Sequence, residues 1–418
     1  MRTCERLAVI GLGYVGLPLA REAALSGMSV LGFDVDQRRV DALRDGRSYV
    51  DDITDDDISA MLTAGFRVDT SPEILADADA VVVCVPTPLL PDRSPDLSAV
   101  LAAADAIAPR LRPGMLVVLE STTYPGTTEE VFAPRLEVSG LVAGRDFSLA
   151  YSPERIDPGN GRYGLRNTPK VVGGMTWKCA EHAAAMYGKV VDQVVHTRSP
   201  REAEMAKLLE NTYRHVNIAL INEIATYCRD MRVDVWDVVA AAATKPFGFE
   251  SFRPGAGVGG HCIPIDPHYL LHAVRGAGGR LSIVEQAQAV NDRMPGFVAD
   301  RVEEALRQAG RAIAGASIVV LGVTYKPDVS DVRDSPATAV VRTLRERGGS
   351  VRYHDPYVDS WSVGTTVEVA DLDRDVTTAD AVLLLQAHRT YDLDDLAGRA
   401  RLFIDLHGRT RGASVVPL

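Results

Sequence analysis

The sequence predicts an α/β protein in which two doubly wound parallel sheets are joined by a central helical domain with a long helix. Apolar runs alternate with helical stretches over residues 7–150, and a second alternating region begins at residue 317. Between them, residues 201–229 contain no proline or glycine and repeat apolar residues at helical spacing. Strand–helix alternation indicates a parallel sheet with helices on both faces. The uninterrupted segment indicates one long helix.

The individual elements follow from the apolar runs and from the glycine and proline residues that separate them. For the first sheet we predict strands over 7–10, 29–33, 81–85, 116–120 and 147–151, with helices over 15–26, 36–44 and 98–110. For the second sheet we predict strands over 317–322, 350–353, 381–385 and 402–405, with a helix over 335–347. A further helix is predicted over 291–307.

The size and composition of the chain restrict its domain count and its partners. A chain of 418 residues is too long for one hydrophobic core, and we expect domains at 1–199, 200–300 and 301–418. The net charge of −11 argues against nucleic acid, and no apolar run reaches the roughly 18 residues of a membrane span. Five scattered cysteines fit reduced thiols in the cytoplasm. Because they lack paired ligand spacing, no metal site is expected.

A phosphate-binding turn is predicted between the first strand and the first helix. Gly11, Gly13 and Gly16 form a G-x-G-x-x-G sequence that follows an apolar strand. The first glycine suits a tight turn, the second lets the backbone approach a pyrophosphate, and the third lets helix and strand pack closely. The phosphates would meet free N–H groups at the helix N-terminus. Tyr14 and Val15 lie in the same Rossmann-type turn and are further candidate contacts.

The cofactor predicted from this turn is NAD rather than NADP. Asp34 ends the next strand, 18 residues after the last glycine, where an acid suits a ribose diol. Arg38 and Arg39 would favour a 2′-phosphate, but Asp34 would repel it; Arg39 is kept as a cofactor contact. Thr87 and Thr122 follow later strands, where ligands of open sheets bind, although each hydroxyl has capping as its alternative. Thr122 is also a candidate catalytic residue.

Candidate catalytic residues lie after a strand of the first sheet, on the long helix and in a glycine-rich segment. Lys207 and Asn211 are four residues apart and share a helix face, although a solvated lysine is the ordinary alternative. Glu154 follows a strand and is either a base that positions a water or a surface acid. Cys262 and Asp266 are also four apart; a thiol there can attack a carbonyl, and the carboxylate can manage a proton.

Six motifs in order resemble one enzyme family. They are residues 11–16, 86–88, 152–155, 204–211, 259–266 and 322–328. Together they resemble the UDP-glucose/GDP-mannose dehydrogenase family along essentially the whole chain. The resemblance implies an NAD-dependent four-electron oxidation, in which the C6 alcohol of a nucleotide sugar becomes a carboxylate and two NAD⁺ are consumed.

The resemblance also implies a role for each catalytic candidate. Cys262 would attack the C6 aldehyde to give a thiohemiacetal, and a second hydride transfer would give a thioester. Lys207 would stabilise negative charge on the sugar oxygen, and Asn211 would hold that oxygen or a water. Asp266 would work with Lys207 in proton transfer through water. Glu154 would organise the water that hydrolyses the thioester.

The second sheet domain is implied to bind the nucleoside diphosphate of the sugar. Lys326 would contact the diphosphate or neighbouring groups, and Arg333 matches a family arginine that reaches toward NAD. Arg253 lies in the family's substrate loop, which has Ala256 here where the family commonly has proline. The substrate-binding candidates are Glu154, Arg155, Lys207, Asn211, Arg253, Gly259 and Lys326.

The substrate is predicted to be a UDP-N-acetylhexosamine. Family members that act on UDP-glucose often carry a second glutamate four residues after the position of Glu154, and this chain has Pro158 there. With residues 120–128, this is similar to the UDP-N-acetylglucosamine 6-dehydrogenase subgroup; UDP-glucose is the alternative. A single-step hydroxy-acid dehydrogenase and a nucleotide-sugar sensor without turnover are competing interpretations. The long helix suits pairing with its copy, so we expect a homodimer.

Overall fold

The computed structural model describes residues 4–157 and 162–418. It confirms the predicted α/β class, with two Rossmann-like sheets and a helical region between them in sequence. The chain divides into two compact units, which are described separately below. The first comprises the residues up to Glu210 together with His268–Arg280, and the second comprises Asn211–Pro267 and Leu281–Leu418. The boundaries predicted near residues 199 and 300 stay a prediction.

The first unit contains an eight-stranded sheet in the order β3-β2-β1-β4-β5-β6-β7-β8. Neighbouring strands run parallel, except that β6 and β7 are antiparallel. The strands are β1 Arg6–Ile10, β2 Ser29–Phe33, β3 Arg67–Asp69, β4 Ala80–Val83, β5 Leu116–Leu119, β6 Ser148–Tyr151, β7 Lys170–Gly174 and β8 Val194–His196. The order reverses between β1 and β4, where ligands of open α/β sheets bind.

Helices join these strands. The α-helices are α1 Gly16–Leu25, α2 Gln37–Arg44, α3 Asp55–Thr63, α4 Ser98–Ile107, α5 Ala133–Leu136 and α6 Trp177–Tyr187. Short 3₁₀ segments occupy Pro72–Asp77, Ala108–Arg110 and Glu137–Ser139, and a π-helical turn occupies Thr127–Phe132. Central strands are buried on both faces, which is why they form continuous apolar runs in the sequence. Side-chain caps start α2, α3 and α6; at α2, for example, the Asp36 side chain accepts from the Arg38 N–H.

Four helices occupy the middle of the sequence. They are α7 Pro200–Asp230, α8 Val235–Ala243, α9 Asp266–Gly276 and α10 Ser282–Gln308. The prediction of a long helix is confirmed, since α7 has 31 residues. The helix predicted over 291–307 begins earlier than expected, since α10 starts at Ser282; Pro295 lies inside it, as the prediction had it. No helix among the described residues is long and apolar enough to cross a membrane.

The second unit contains a six-stranded sheet in the order β13-β10-β9-β14-β15-β16, with every neighbouring pair parallel. Its strands are β9 Ser317–Leu321, β10 Ser350–His354, β13 Glu368–Val369, β14 Ala381–Leu384, β15 Phe403–Asp405 and β16 Val415–Pro417. A separate hairpin pairs β11 Ser362–Val363 with β12 Thr365–Thr366. The helices are α11 Pro336–Glu346, α12 Leu372–Thr378 and α13 Leu393–Arg399. This order reverses at β9, between β10 and β14.

Candidate active site

The glycine turn after β1 has the geometry that a dinucleotide requires. Gly11 has φ +85°, and a Cβ added there would lie 2.6 Å from the carbonyl oxygen of Cys84. A Cβ on Gly16 would lie 1.9 Å from the carbonyl oxygen of Gly11. By contrast, a Cβ on Gly13 would meet no atom within 4 Å. The first and third glycines are therefore needed for packing, and the second borders open space that suits a pyrophosphate.

The acid at the end of β2 is buried and held beside this turn. Asp34 Oδ2 accepts from the N–H of Leu12 at 2.8 Å, and Asp34 Oδ1 accepts from the N–H of Asp36 at 2.9 Å. Arg39 Nη1 lies 3.4 Å from Asp34, and Arg38 pairs with Asp36 at 3.0 Å. Both arginines thus face carboxylates rather than an open anion site. The arrangement fits a ribose diol better than a 2′-phosphate.

The remaining candidate cofactor contacts lie at the same rim of the sheet. Tyr14 is exposed and Val15 half-buried in the glycine turn, while Thr87 and Thr122 are half-buried in the segments after β4 and β5. The segment that carries Thr122 is fixed on one side by Ser121, whose hydroxyl donates to the carbonyl of Val85 at 2.8 Å.

A buried carboxylate from α7 holds the rest of that segment. Glu204 is fully buried and accepts from the N–H groups of Gly126 and Thr128, at 2.6 and 2.9 Å. The hydroxyls of Thr128 and Thr123 donate to the same carboxylate, at 2.7 and 3.3 Å. Burial raises the pKa of Glu204 to about 7, against the lowering effect of these hydrogen bonds. The sequence assigned Glu204 no role; the signal was its place on the same helix face as Lys207 and Asn211.

Glu154 is not a surface acid, because both of its carboxylate oxygens are engaged. Oε1 accepts from the N–H groups of Arg155 and Ile156, at 2.6 and 2.5 Å. Oε2 lies 3.4 Å from the ammonium of Lys170, and the side chain is only 12% exposed. The guanidinium of Arg155 forms an ion pair with Glu210 at 2.8 Å. Pro158, on which the substrate comparison depended, lies outside the described residues.

Lys170 belongs to a buried cluster with Glu120 and Tyr187, which the sequence did not predict. The Lys170 ammonium lies 3.1 Å from Glu120 Oε1, and the Tyr187 hydroxyl donates to the same oxygen. Burial raises the pKa of Glu120, and Lys170 opposes that rise. Burial alone would lower the pKa of Lys170, but Glu120 and Glu154 raise it above its usual value. We call Lys170, Glu120 and Tyr187 the buried charge cluster.

Two of the helical candidates meet in the second unit. Asn211 Nδ2 donates to Asp266 Oδ2 at 2.5 Å, and both side chains are buried. The bond joins α7 to the first residue of α9. Lys207, on α7 in the first unit, is only 8% exposed. The ordinary alternative of a solvated surface lysine is therefore wrong.

Cys262 differs from the other cysteines in its exposure. Its side chain is exposed, whereas Cys4, Cys84, Cys179 and Cys228 are buried. The carbonyl of Cys262 accepts from the N–H groups of Ile265 and Asp266, at 3.1 and 2.8 Å, which starts the turn into α9. The short turn therefore presents the thiol immediately before a helix.

The glycines before Cys262 pack against the segment after β9. A Cβ on Gly259 would lie 2.7 Å from Pro336 Cδ and 3.0 Å from Tyr325 Cβ. Gly260 has φ +88°, and a Cβ there would lie 2.9 Å from two ring atoms of Tyr325. The neighbouring His261 Nε2 lies 3.3 Å from Asp331. The segment just before Cys262 is therefore packed against the residues that follow β9.

The three basic candidates of the second unit lie in different settings. Arg253 is exposed. The Lys326 ammonium lies 5.8 Å from the centroid of the Tyr325 ring. Arg333 pairs with Asp331 at 2.7 Å and keeps a side chain that is 53% exposed. Burial alone would raise the pKa of Asp331, but hydrogen bonds from His261 and Arg333 hold it well below its usual value.

A buried amide network fixes the segment after Arg253. The Asn222 side chain accepts from the Gly255 N–H at 2.9 Å and donates to Asn291 Oδ1 at 3.0 Å. Asn222 is on α7 and Asn291 is on α10, so this loop is anchored to both helices. The change to Ala256 therefore lies in a loop whose start is held by hydrogen bonds.

The fold and the glycine turn define an NAD-dependent oxidoreductase, and comparison with known proteins identifies its family. Models of the UDP-glucose/GDP-mannose dehydrogenase family match in three parts: the NAD binding domain at residues 5–191, the central domain at 201–293 and the UDP binding domain at 319–410. The chain belongs to the UDP-glucose/GDP-mannose dehydrogenase family. It is a nucleotide-sugar dehydrogenase, and its cofactor is NAD.

Similar proteins cover nearly the whole chain. A UDP-N-acetyl-D-glucosamine 6-dehydrogenase of Pseudomonas aeruginosa is 38% identical over 357 residues, covering 85% of this chain and 83% of that protein. An NDP-N-acetyl-D-galactosaminuronic acid dehydrogenase of Ralstonia nicotianae is 36% identical over 414 residues, covering 96% and 95%. The solved structure of a UDP-D-ManNAc dehydrogenase from Pyrococcus horikoshii matches with TM-score 0.90 and 34% identity, covering 99% and 98%.

Proposed function

We propose that this protein oxidises C6 of a UDP-N-acetylhexosamine, UDP-N-acetylglucosamine first among them, to the uronate through a thioester on Cys262. The observation that carries the proposal is the full-length similarity to dehydrogenases named for N-acetylated sugar nucleotides. The exposed thiol among four buried ones supports the choice of nucleophile. Bound NAD supplies the hydride acceptor for both oxidations.

The first oxidation converts the C6 alcohol to an aldehyde. Lys207 stabilises the negative charge that develops on the C6 oxygen as the alcohol loses its proton. The amide of Asn211 is oriented by its hydrogen bond to Asp266, so its second N–H can bind the same oxygen or a water. Asp266 receives protons through water. Thr87 and Thr122, at the strand ends of the first sheet, contact the cofactor.

The second oxidation depends on Cys262. Its thiolate adds to the aldehyde carbon, a C–S bond forms, and the oxygen takes a proton; loss of hydride from C6 and of that hydroxyl proton then converts the thiohemiacetal to a thioester. Water then adds to the thioester carbonyl while Glu154 accepts the proton of that water. The C–S bond breaks, the thiolate is regenerated, and the carboxylate product leaves. The sum is two hydrides removed and one water consumed.

The experiment that tests the proposal is an NADH assay against a panel of UDP- and GDP-sugars, with the acid product identified by mass. We expect two NADH for each UDP-N-acetylhexosamine consumed, and a lower kcat/KM for UDP-glucose. One NADH per substrate would point to the single-step hydroxy-acid class. Binding without NADH formation would point to a sensor. Cys262→Ser should fail to release acid.

We also propose a homodimer through α7. Within the second unit, one face of this helix carries exposed apolar side chains at spacings of seven, four and three residues. They are Tyr213, Leu220, Ile224 and Tyr227, which are 37–62% exposed. Exposed apolar faces of this kind mark interfaces. Light scattering should give a dimer for the wild type and a monomer for Leu220→Glu; a wild-type monomer would refute the proposal.

We also propose a three-domain organisation and a cytoplasmic location. Three domains, at 1–199, 200–300 and 301–418, are supported by the three family matches, whose boundaries fall near 191–201 and 293–319. Limited proteolysis should cut first at these junctions. A cytoplasmic location is supported by the scattered cysteines, and cell fractionation tests it.

A further inference from the structure

The buried charge cluster of the first unit lies next to Glu154. Lys170 is 97% buried, and its ammonium lies 3.1 Å from Glu120 and 3.4 Å from Glu154. Charges are buried this deeply only when they are paired, because desolvation is costly. One cation here serves two carboxylates, of which only Glu154 belongs to the proposed reaction.

We propose that Lys170 is a positioning residue for thioester hydrolysis, whose ammonium keeps the carboxylate of Glu154 correctly turned, while Glu120, to which Tyr187 donates, shares the same ammonium. The inference rests on the proposed function, because it assigns Glu154 to the hydrolytic water. It adds a residue to that step that does not touch the substrate.

The hydrogen bonds around Glu154 show why the lysine matters. Oε1 is fixed by two backbone N–H groups, so it is held by the chain itself. Oε2 is the oxygen that faces Lys170. Without the ammonium, Oε2 would lose its charged partner, and the rotation of the carboxylate about its last bond would be restrained only through Oε1. A base must keep its lone pair aligned with the water it activates.

The cluster also sets how strongly the lysine acts on Glu154. Glu120 competes for the ammonium, and it lies slightly closer to it than Glu154 does. Tyr187 donates to Glu120 and so offsets part of its negative charge. The Cys84 thiol lies 3.8 Å from the other oxygen of Glu120. Arg155, the adjacent cation, is paired with Glu210 instead.

Two substitutions should therefore move the reaction in opposite directions. Lys170→Met removes the cation, so protonation of the base becomes easier, and the pH of half-maximal hydrolysis should rise by about one unit or more. Glu120→Gln removes the competing anion, so the pH of half-maximal hydrolysis should fall. A residue that only supports the fold would slow the reaction without shifts of opposite sign.

The test is a single-turnover measurement from pH 4 to 9 with UDP-N-acetylglucosamine, in which the enzyme–substrate thioester on Cys262 is followed by rapid quenching and intact-protein mass spectrometry. Lys170→Met should accumulate the thioester at least tenfold over wild type near pH 7, and Lys170→Arg should restore hydrolysis in part. Lys189→Met is the matched control, because its ammonium donates to the carbonyl of Cys4 instead. The double variant Lys170→Met/Glu120→Gln keeps the charge balance if the single variant does not fold, and its midpoint should lie between those of the single variants.

Glu154→Gln separates this inference from the proposed function. If Glu154→Gln accumulates the thioester but the Lys170→Met midpoint equals that of wild type, the Lys170 inference is overturned and the proposed function stands. Shifts of the same sign for Lys170→Met and Glu120→Gln would overturn it as well. If Glu154→Gln forms no thioester while wild type releases acid, the role of Glu154 fails, and the inference fails with it.

Discussion

The turns that follow β1 and β9, one in each sheet, begin with the same geometry. Gly11 and Gly322 have φ of +85° and +75°, and each donates its N–H to the last residue of the neighbouring strand, at 2.8 and 2.9 Å. In each turn the next N–H donates to an aspartate, Leu12 to Asp34 at 2.8 Å and Val323 to Asp355 at 2.7 Å.

The turns differ in what comes next. In the first sheet, open space follows at Gly13, and Asp34 accepts from two backbone N–H groups and lies 3.4 Å from Arg39. In the second sheet, His388 Nε2 lies 3.0 Å from the aspartate. His388 Nδ1 accepts from the N–H of Asp328 at 2.9 Å, so in the neutral ring the proton is on Nε2 and is donated to Asp355.

The positive-φ glycine and the aspartate that accepts from the next N–H therefore belong to the parallel-sheet topology and are not specific to NAD binding. The first turn adds Gly13 and Gly16, which the second turn lacks, and these additions are typical of dinucleotide binding. In the second turn Tyr325, three residues after Gly322, packs against Gly259 and Gly260 instead.

The largest effect that tests this shared frame is expected from Gly11→Ala and Gly322→Ala. An added Cβ would lie 2.6 Å from a backbone carbonyl oxygen in both cases, at Cys84 and at Gln386. Both positions also have positive φ, so each variant should lose more than about 3 kcal/mol in free energy of unfolding. Urea titration measures this. A loss of stability in Gly11→Ala alone would show that the two turns do not share this constraint.

A difference in pH dependence should separate the two sheets. The folded-state pKa of Glu204 is raised from 4.5 to about 7. Its contribution to stability is therefore complete below pH 4.5 and is lost as pH rises through 7, by up to about 3 kcal/mol. In the second unit, hydrogen bonds from His388 and Val323 hold the pKa of Asp355 below its usual value despite burial, so that contribution is lost on acidification instead.

Hydrogen exchange at pH 5 and pH 8, corrected for intrinsic rates, measures this difference. Peptides around residues 116–132 should be better protected at pH 5, and the difference should vanish in Glu204→Gln, in which residue 204 no longer titrates. Better protection of these peptides at pH 8 would contradict the prediction.

The two aspartates should respond differently to the same substitution. Asp355→Asn would turn an amide N–H toward the proton on His388 Nε2, so we expect a loss of about 2 kcal/mol in stability with an unchanged KM for NAD. Asp34→Asn should raise the KM for NAD about tenfold and improve the relative use of NADP, because Arg39 loses its charged partner. Steady-state kinetics with both cofactors and thermal unfolding of both variants check this pair. Equal increases in the KM for NAD in the two variants would contradict the prediction.

The smallest effect on stability is expected from Gly13→Ala. Because a Cβ there meets no atom of the protein, the free energy of unfolding should change by less than about 1 kcal/mol. The same methyl group would occupy pyrophosphate space, so NAD affinity should fall about fivefold or more. Calorimetric titration with NAD measures this affinity, and Gly398→Ala, in α13, is the control for adding a methyl group away from the turn, because a Cβ there also meets no atom within 4 Å.

The sequence predicted the central strands of both sheets to within two residues, because strands buried on both faces are continuous apolar runs. It missed β7, which begins with Lys170 and ends with two glycines, and thus lacks such a run. The helix predicted over 291–307 already ran through Pro295 and Gly296, and what it missed is the first part of α10, residues 282–290.

The candidate site was predictable where its chemistry lies in one short segment. The glycine turn, Asp34, and the spacing of Cys262 and Asp266 are local patterns. The contacts of Glu204 and Lys170 join residues about 16 to 80 positions apart in sequence, and a single sequence does not specify such pairings. A charged residue in a strand or on a buried helix face was the only local sign of them.

The close fit of Gly260 on the Tyr325 ring has a consequence for protein engineering. Residues 324–328 are an obvious target for changing which nucleotide the enzyme accepts, since they lie at the strand-end rim of the second sheet. Any replacement of Tyr325 also changes the packing against Gly259 and Gly260, just before Cys262, the proposed nucleophile. A redesign of nucleotide preference therefore has to be selected together with compensating changes at residues 259–262.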